Sequence, residues 1–379
     1  MQFKDVCGQE KVKANLLTSA KNNRIHHTQL FLGKIGFGGL PLALALSQYV
    51  NCLAPTDHDS CGSCSNCQKN SNLIHPNVHF TYPTITKKSG HKPVSTDFIT
   101  EWRNEVLNNP YLSSYQWMQG IQAENKLGNI TAAECRRILD FFKLKALDGG
   151  QRVLVVWNAE SLSKEGNILL KFLEEPPENT IIILLAENEE KVLNTIRSRC
   201  QILRLPSLVD SEISSYLEQK AGYATELAES VSKLADGDLN LALSIQTNEE
   251  GELEGIFKNW MKAISTDKVG LVKTVEGMSR LGRDKLKLLF DYGIVILREA
   301  LLIQHSASSS RLNEGEEKMA KWMAHKMTIE ALHDTIVEFD GYPYKIERNA
   351  NAKIQLMTLS VFIDTQLQSK SKTTIAQTS

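Results

Sequence analysis

Gly33-Lys34-Ile35-Gly36-Phe37-Gly38-Gly39-Leu40 is the stretch that decides how the rest of this chain is read. Just upstream, His26-His27-Thr28-Gln29-Leu30-Phe31-Leu32 enters a short apolar run, and Pro41 to Val50 has the composition of a helix. Strand, glycine loop and helix is the order in which a phosphate-binding loop is built, because glycines let backbone N–H groups curl around an anion at a helix N-terminus. A working loop of this kind closes on Lys and then Ser or Thr. The Lys meets the β- and γ-phosphates and the hydroxyl ligates Mg²⁺. Gly39 and Leu40 stand in those two places. Lys34 would have to bend back over the turn to substitute, and a glycine turn unrelated to phosphate is the plain alternative.

The surroundings argue for the phosphate-loop framework. The β-branched run Val153-Leu154-Val155-Val156 reads as a buried parallel strand. It leads into Trp157-Asn158-Ala159-Glu160, so no carboxylate stands at the strand tip where one would position Mg²⁺. Glu160, three residues on, is expected to lie past the phosphates. Ile181 to Leu185 reads as another buried strand, and a helix through Asn167 to Leu173 is stopped by Pro176-Pro177. With helices over Gln9–Lys21 and Thr131–Leu144, this alternation predicts an α/β domain with a parallel sheet. Thr81 to Gly128 reads as a loop-rich insertion with one helix near Asp97 to Leu107.

After Pro206 the pattern is helical throughout. Leu286, Leu289, Phe290, Ile294, Leu297 and Leu301 share one helix face, and Trp260 with Phe257, Met261 and Ile264 reads as core. His305 to Arg311 is a Ser-rich loop, and Ser369 to Ser379 reads as a frayed tail.

The composition supports a two- or three-domain soluble chain. The 379 residues carry 42% hydrophobic and 23% charged residues. A formal net charge of -1 gives no global reason for tight, unassisted nucleic-acid binding. Arg136, Arg137, Lys143 and Lys145 form a basic stretch best read as a solvated face. No apolar run reaches the length of a membrane helix, and Met1-Gln2-Phe3-Lys4-Asp5 lacks the pattern of a signal peptide, which predicts a cytoplasmic location.

Cys52, Cys61, Cys64 and Cys67 crowd into sixteen positions. Two Cys-x-x-Cys turns let sulfurs converge on one tetrahedral ion, and four protein ligands would make a closed, structural zinc site. His58 as a competing ligand, free thiols and an iron–sulfur cluster are the alternatives. Cys7, Cys135 and Cys200 are isolated and read as small packed residues, and His75 and His79 as structural.

Leu169-Leu170-Lys171-Phe172-Leu173-Glu174-Glu175-Pro176-Pro177, followed by Ser198-Arg199-Cys200, resembles the signature pair of clamp-loader subunits of the AAA+ class. Phe3-x-x-Val6-x-Gly8-Gln9 and His27-x-x-Leu30-Phe31-x-Gly33 look like that family's opening motifs. The resemblance is dense to about Pro206 and weaker at Gly237-Asp238-Leu239-Asn240-Leu241-Ala242-Leu243 and at Arg348-Asn349-Ala350-Asn351. It implies an AAA+ α/β domain over 1–207, with a zinc module at about 52–67 and the insertion at about 81–128. A helical lid (208–246), an all-α collar for oligomerisation (247–368) and a tail (369–379) would follow. Asn240 stands where active relatives carry an arginine that touches nucleotide. Together, Gly33, Gly36, Gly38, Gly39, Leu40, Trp157, Asn158 and Asn240 describe a degenerate site that would not bind ATP productively. Arg199 is then the residue the resemblance marks for use elsewhere, as a finger reaching a neighbouring subunit's ATP. Local pairing with a carboxylate is its structural alternative. The implied partners are clamp-loader ATPase subunits and a delta subunit in a hetero-oligomer. That complex would bring the chain to the sliding clamp and primed DNA within the DNA polymerase holoenzyme. An active AAA+ ATPase with an atypical site, or a zinc-containing nucleic-acid module, are the competing readings.

Overall fold

The computed structural model describes residues 1–370 apart from 88, 89, 91, 124, 125, 127, 144–149, 247–251, 282, 306–311, 313 and 348–350. The side chains of 245, 246, 283, 284, 287, 288 and 343–347 are also outside the description. Lys145, Gly149, the Ser-rich loop from Ser306, Arg348-Asn349-Ala350 and the tail from Ser371 therefore lie outside the described residues.

The described chain forms two compact units. The first, Met1–Tyr216 with Gly237–Asn240, is built on five strands. They are β1 (Thr28–Leu32), β2 (Val78–Thr81), β3 (Arg152–Val156), β4 (Thr180–Ala186) and β5 (Gln201–Arg204). Their order is β2-β3-β4-β1-β5 and every pairing is parallel, as the alternation of strands and helices predicted. All seven residues of β4 are buried, and its side chains divide by parity. Ile181, Ile183 and Leu185 join one apolar layer, Ile182, Leu184 and Ala186 the other, as the two-residue period of a strand requires. The first layer holds α1 (Glu10–Lys21), α2 (Gly39–Val50), α4 (Ile99–Asn108) and α5 (Ser114–Gly120). The small α3 (Ser65–Ser71) packs beside α2. The second holds α6 (Ala132–Lys143), a 3-10 stretch over Ala159–Leu169, α7 (Leu170–Glu174) and α8 (Asn194–Arg197).

Three sequence expectations change. The insertion carries two α-helices, α4 and α5, after a 3-10 turn at Ser95–Phe98. Its aromatic residues give it a core: Trp102 stacks on Tyr82 at 4.1 Å and meets Trp117 and Trp157, each at 5.3 Å. The helix expected through Asn167–Leu173 is present but mixed: its first three residues end a 3-10 stretch that begins at Ala159 and is kinked at Ser163 (φ 43), and it is α-helical from Leu170 to Glu174. Strands β2 and β5 were not foreseen. Both are four-residue edge strands with polar members, so neither shows the apolar run of a central strand.

The second unit comprises Leu217–Asp236 and the described residues from Leu241 onward, and is all-helical. Helix α9 (Asp210–Ala221) leads to α10 (Thr225–Leu234) and α11 (Leu239–Gln246). A larger group follows: α12 (Glu252–Thr266), α13 (Lys268–Met278), α14 (Arg283–Gln304), α15 (Glu314–Lys326), α16 (Ile329–Glu347) and α17 (Ala352–Leu367). Its core includes Phe257, Trp260, Met261, Ile264 and the predicted face of α14 from Leu286 to Leu297. Trp260 is fully buried and its indole N–H donates to Ser360 Oγ at 2.9 Å. No helix among the described residues is long and apolar enough to cross a membrane.

Candidate functional site

In an open parallel sheet, ligands bind in the crevice beyond the carboxyl ends of the strands. Here that crevice lies beyond β1, β3 and β4, and the glycine loop forms part of its wall. Gly33 follows β1 directly, Lys34 opens a 3-10 turn over Ile35–Phe37, and Gly38 adopts φ 91, which favours glycine. Gly39 and Leu40 begin α2. Leu40 is buried and Lys34 is exposed, so neither supplies a buried charge or hydroxyl to the crevice.

Pro41 bears on the same loop. It lies in the first turn of α2, where N–H groups are free to bind an anion, and it has no N–H to offer. Its position directly after the glycine-loop motif was the available signal.

Of the other residues singled out from sequence, Trp157 and Asn158 line the same crevice, whereas Asn240 is not among its lining residues. Trp157 lines it and is 4% exposed, held in the aromatic cluster of the insertion. Asn158, left-handed at φ 59, donates from Nδ2 to Ser114 Oγ at 2.6 Å and accepts from Ser161 Oγ at 3.0 Å. Glu160 does line the crevice, closer than the sequence suggested. Its Oε1 accepts from the N–H groups of Glu187 and Asn188, at 2.7 and 2.9 Å. Asn240 belongs to the first unit and donates from Nδ2 to Tyr111 O at 2.6 Å and Gln116 Oε1 at 2.8 Å. Beside it, the Asp238 carboxyl packs on Gly36 so closely that a Cβ there would lie 1.8 Å from Oδ1. A carboxylate on the glycine loop repels the charge such a loop ordinarily receives.

The four clustered cysteines converge. Their Sγ atoms all lie within 4.8 Å of one another, and Cys61 and Cys67 are 3.8 Å apart. Four arms of 2.3 Å in tetrahedral array span edges of roughly 3.8 Å, so the donor set fits one thiophilic ion. Backbone N–H groups support the sulfurs: Cys61 N donates to Cys52 Sγ at 3.2 Å, Cys64 N to Cys61 Sγ at 3.3 Å and Cys67 N to Cys64 Sγ at 3.4 Å. Donation from Cys64 and Ser63 brings the Cys61 thiol down to about 6, whereas burial pushes Cys67 up. His58 is exposed and outside the cluster.

Arg199 occupies the other end of the sheet. It follows α8 and stands two residues before β5, whose Gln201 pairs with Gln29 near the start of β1. The glycine loop begins only after Leu32, the last residue of β1. With every strand parallel, the intervening β5 residues span roughly 13 Å. The local ion pair weighed from sequence is present: Arg199 Nε donates to Glu174 Oε1 at 2.6 Å, and Nη1 to Thr195 O at 2.6 Å. The Arg199 side chain is 29% exposed. Arg197 is tied to Asn194 at 3.0 Å and pairs with Glu189 at 3.6 Å.

A sheet with a glycine-loop crevice at one end and a Ser-Arg-Cys corner at the other defines a class, and comparison with known proteins identifies it. The family model described as DNA polymerase III, delta subunit, matches residues 8–209, and the chain belongs to that family. It is 28% identical over 231 residues to DNA polymerase III subunit delta' of Escherichia coli, covering 61% of this chain and 57% of that one. It is 27% identical over 210 residues to subunit delta' of Bacillus subtilis, covering 55% and 51%. The tau/gamma subunit of Haemophilus influenzae is 25% identical over 249 residues, covering 64% of this chain and 30% of that one. The matches thus span from 30% to 57% of the relatives' own lengths. The resemblance read from the motifs is borne out at the level of the family.

Proposed function

We infer that this chain is a non-catalytic clamp-loader subunit of AAA+ type, and that it lends Arg199 to the ATP site of an adjacent ATPase subunit. The observation that carries the reading is the opposed placement of Arg199 and the glycine loop. A guanidinium at the amino end of a parallel sheet cannot reach a phosphate bound beyond the carboxyl end of the same sheet. It is partly exposed, where a neighbour can meet it. Such a group stabilises charge on the transferring phosphoryl when supplied in trans. Its pair with Glu174 is a surface contact, and exposed pairs of this kind contribute about 0–1 kcal/mol, little enough for a partner's phosphate to displace.

In this reading the degenerate set at the glycine loop leaves the chain without productive ATP binding. Residues 208–246 act as a helical lid and 247–368 as the collar that joins the other loader subunits, including ATPase subunits and a delta subunit. The complex carries the chain to the sliding clamp and primed DNA. Cys52, Cys61, Cys64 and Cys67 hold zinc. Four thiolates leave the ion no open position, so it would tie the module together without taking part in chemistry. Elemental analysis of the purified chain is expected to give one zinc per chain, and iron with acid-labile sulfide would replace that assignment.

Reconstitution with the partner ATPase and an Arg199→Ala chain tests the central reading. Clamp- and DNA-stimulated ATP hydrolysis should collapse while the complex still assembles. Full activity with Arg199→Ala would refute the trans finger, and micromolar Mg-ATP affinity of the isolated chain would refute the non-catalytic site.

A further inference from the structure

The crevice beyond β1, β3 and β4 is filled from within by the insertion. Pro110, Leu112 and Ser114 line it opposite the glycine loop and Trp157, and the space left for solvent inside is ≈ 30 Å³, room for a water or two. Tyr111 lies over the loop itself: a Cβ on Gly38 would be 3.4 Å from its ring. The Tyr111 hydroxyl accepts from Cys7 N at 2.8 Å, and its ring meets Tyr216 edge-on at 5.8 Å. Tyr111 and Leu112 are 0% and 1% exposed, burial of a kind expected in a core.

The segment is also tied at several points. Its Tyr111 carbonyl and Gln116 side chain take both hydrogen bonds from Asn240, and Ser114 takes that of Asn158. A capping box fixes the turn into α5, with Gln116 N donating to Ser113 Oγ at 3.1 Å and Ser113 N to Gln116 Oε1 at 2.6 Å. Leu112 N donates to Asn109 O at 3.1 Å, and Tyr111 N to Asn109 Oδ1 at 3.0 Å. Behind it, Trp117 is fully buried among Tyr82 and Trp102, and its indole N–H donates to Pro83 O at 2.7 Å.

We propose that residues 109–116 are a built-in occupant of the nucleotide crevice, an internal ligand that excludes nucleoside triphosphates independently of the missing Lys and hydroxyl. Two of the residues that mark the site as degenerate then have a positive role. Asn158 and Asn240 are the hydrogen-bond donors that hold the occupant in place. A triphosphate would have to expose Tyr111 and Leu112, break the Nδ2 hydrogen bonds that Asn158 and Asn240 give the segment, and approach the Asp238 carboxyl on Gly36. The inference goes beyond the proposed trans role and does not depend on Arg199.

The test compares two forms of the full chain for binding of a fluorescent ATP analogue with Mg²⁺. One carries the repaired loop, Gly39→Lys/Leu40→Thr/Pro41→Ala. The other adds Tyr111→Ala/Leu112→Ala to open the crevice. The opened form should bind about tenfold more tightly or better, a gap of roughly 1.4 kcal/mol. Equal affinities, whether tight or undetectable, overturn the proposal. Hydrogen exchange on the unaltered chain gives a second reading that needs no variant to fold. Amides of 111–117 should be protected about 100-fold or more over an unstructured peptide, with no change on adding Mg-ATP. Exchange at unstructured rates would show that the segment does not occupy the crevice and would overturn the proposal as well.

Discussion

The two ends of the same β-sheet have been treated in opposite ways. At the carboxyl end, beyond Leu32, Val156 and Ala186, backbone and side chains close over the crevice with buried aromatic and apolar groups. At the amino end, Ser198-Arg199-Cys200 keeps a charged side chain partly open to solvent, tethered by the Glu174 carboxylate, the Thr195 carbonyl and the Ser198 hydroxyl. A group meant for the chain's own packing is buried and satisfied. A group meant for a partner must stay accessible, and its local contacts must be weak enough to give up. The contrast implies that changes at one end should alter the rate of an assembly without altering stability, and changes at the other end the reverse.

The largest expected effect breaks that comparison at its exposed end. Arg199→Lys keeps the charge but loses the planar fork, so stimulated ATP hydrolysis by the reconstituted complex should fall on the order of 10³-fold. Urea unfolding of the isolated chain should move by less than about 1 kcal/mol. A large loss of stability would mean that Arg199 serves the fold.

At the buried end the signs reverse. Trp102 is fully buried at the junction of Tyr82, Trp117 and Trp157, and Trp102→Ala should cost about 3–5 kcal/mol in equilibrium unfolding. Complexes assembled from the folded fraction should keep their hydrolysis rate. Asn240→Ala leaves the Tyr111 carbonyl without that donor and should cost about 1–3 kcal/mol. Exchange should rise selectively at 111–117 while the amides of β1 and β4 stay protected.

The smallest effect concerns how the insertion is fastened to the sheet. Glu134, on α6, accepts from Ser95 N at 2.9 Å and Thr81 Oγ1 at 2.8 Å, and faces His79 at 3.4 Å. Burial alone would raise its pKa, but His79 and these hydrogen bonds outweigh it and hold the carboxyl below its ordinary value of 4.5. A lowered folded value gives stability that is complete above the ordinary carboxylate range and is lost as pH falls through the folded value. The stability advantage of the natural chain over Glu134→Gln should therefore shrink as pH drops below about 4.5. An advantage constant from pH 7 to pH 3 would contradict this assignment.

How much of this was legible depended on the sequence distance over which each contact forms. Strands β1, β3 and β4 announced themselves as apolar runs because both their faces are buried. Edge strands β2 and β5 did not, since Val78-His79-Phe80-Thr81 and Gln201-Ile202-Leu203-Arg204 each mix polar with apolar residues. The cysteine cluster and the glycine loop are local patterns, and the structure brings their residues together where spacing suggested. The insertion's place was hidden because its defining contacts are remote. Tyr111 meets Cys7 across 104 positions and Asn240 across 129. No periodicity within 81–128 reports on either contact. Asn158 and Asn240 could be read from sequence only as losses, because the groups they bind lie in a segment with no recognisable motif.

Pro41 carries a consequence for the stability of the helix start. A proline ring in the first turn of a helix costs the helix nothing and narrows the unfolded chain's freedom, a gain of about 0.4–1 kcal/mol where the backbone already suits it. The same ring leaves one N–H fewer in the first turn for any anion the loop receives. Stiffness at the helix start and donors for an anion are therefore traded against each other at this position. Replacing Pro41 with alanine is expected to return the donor and to give up that stabilisation.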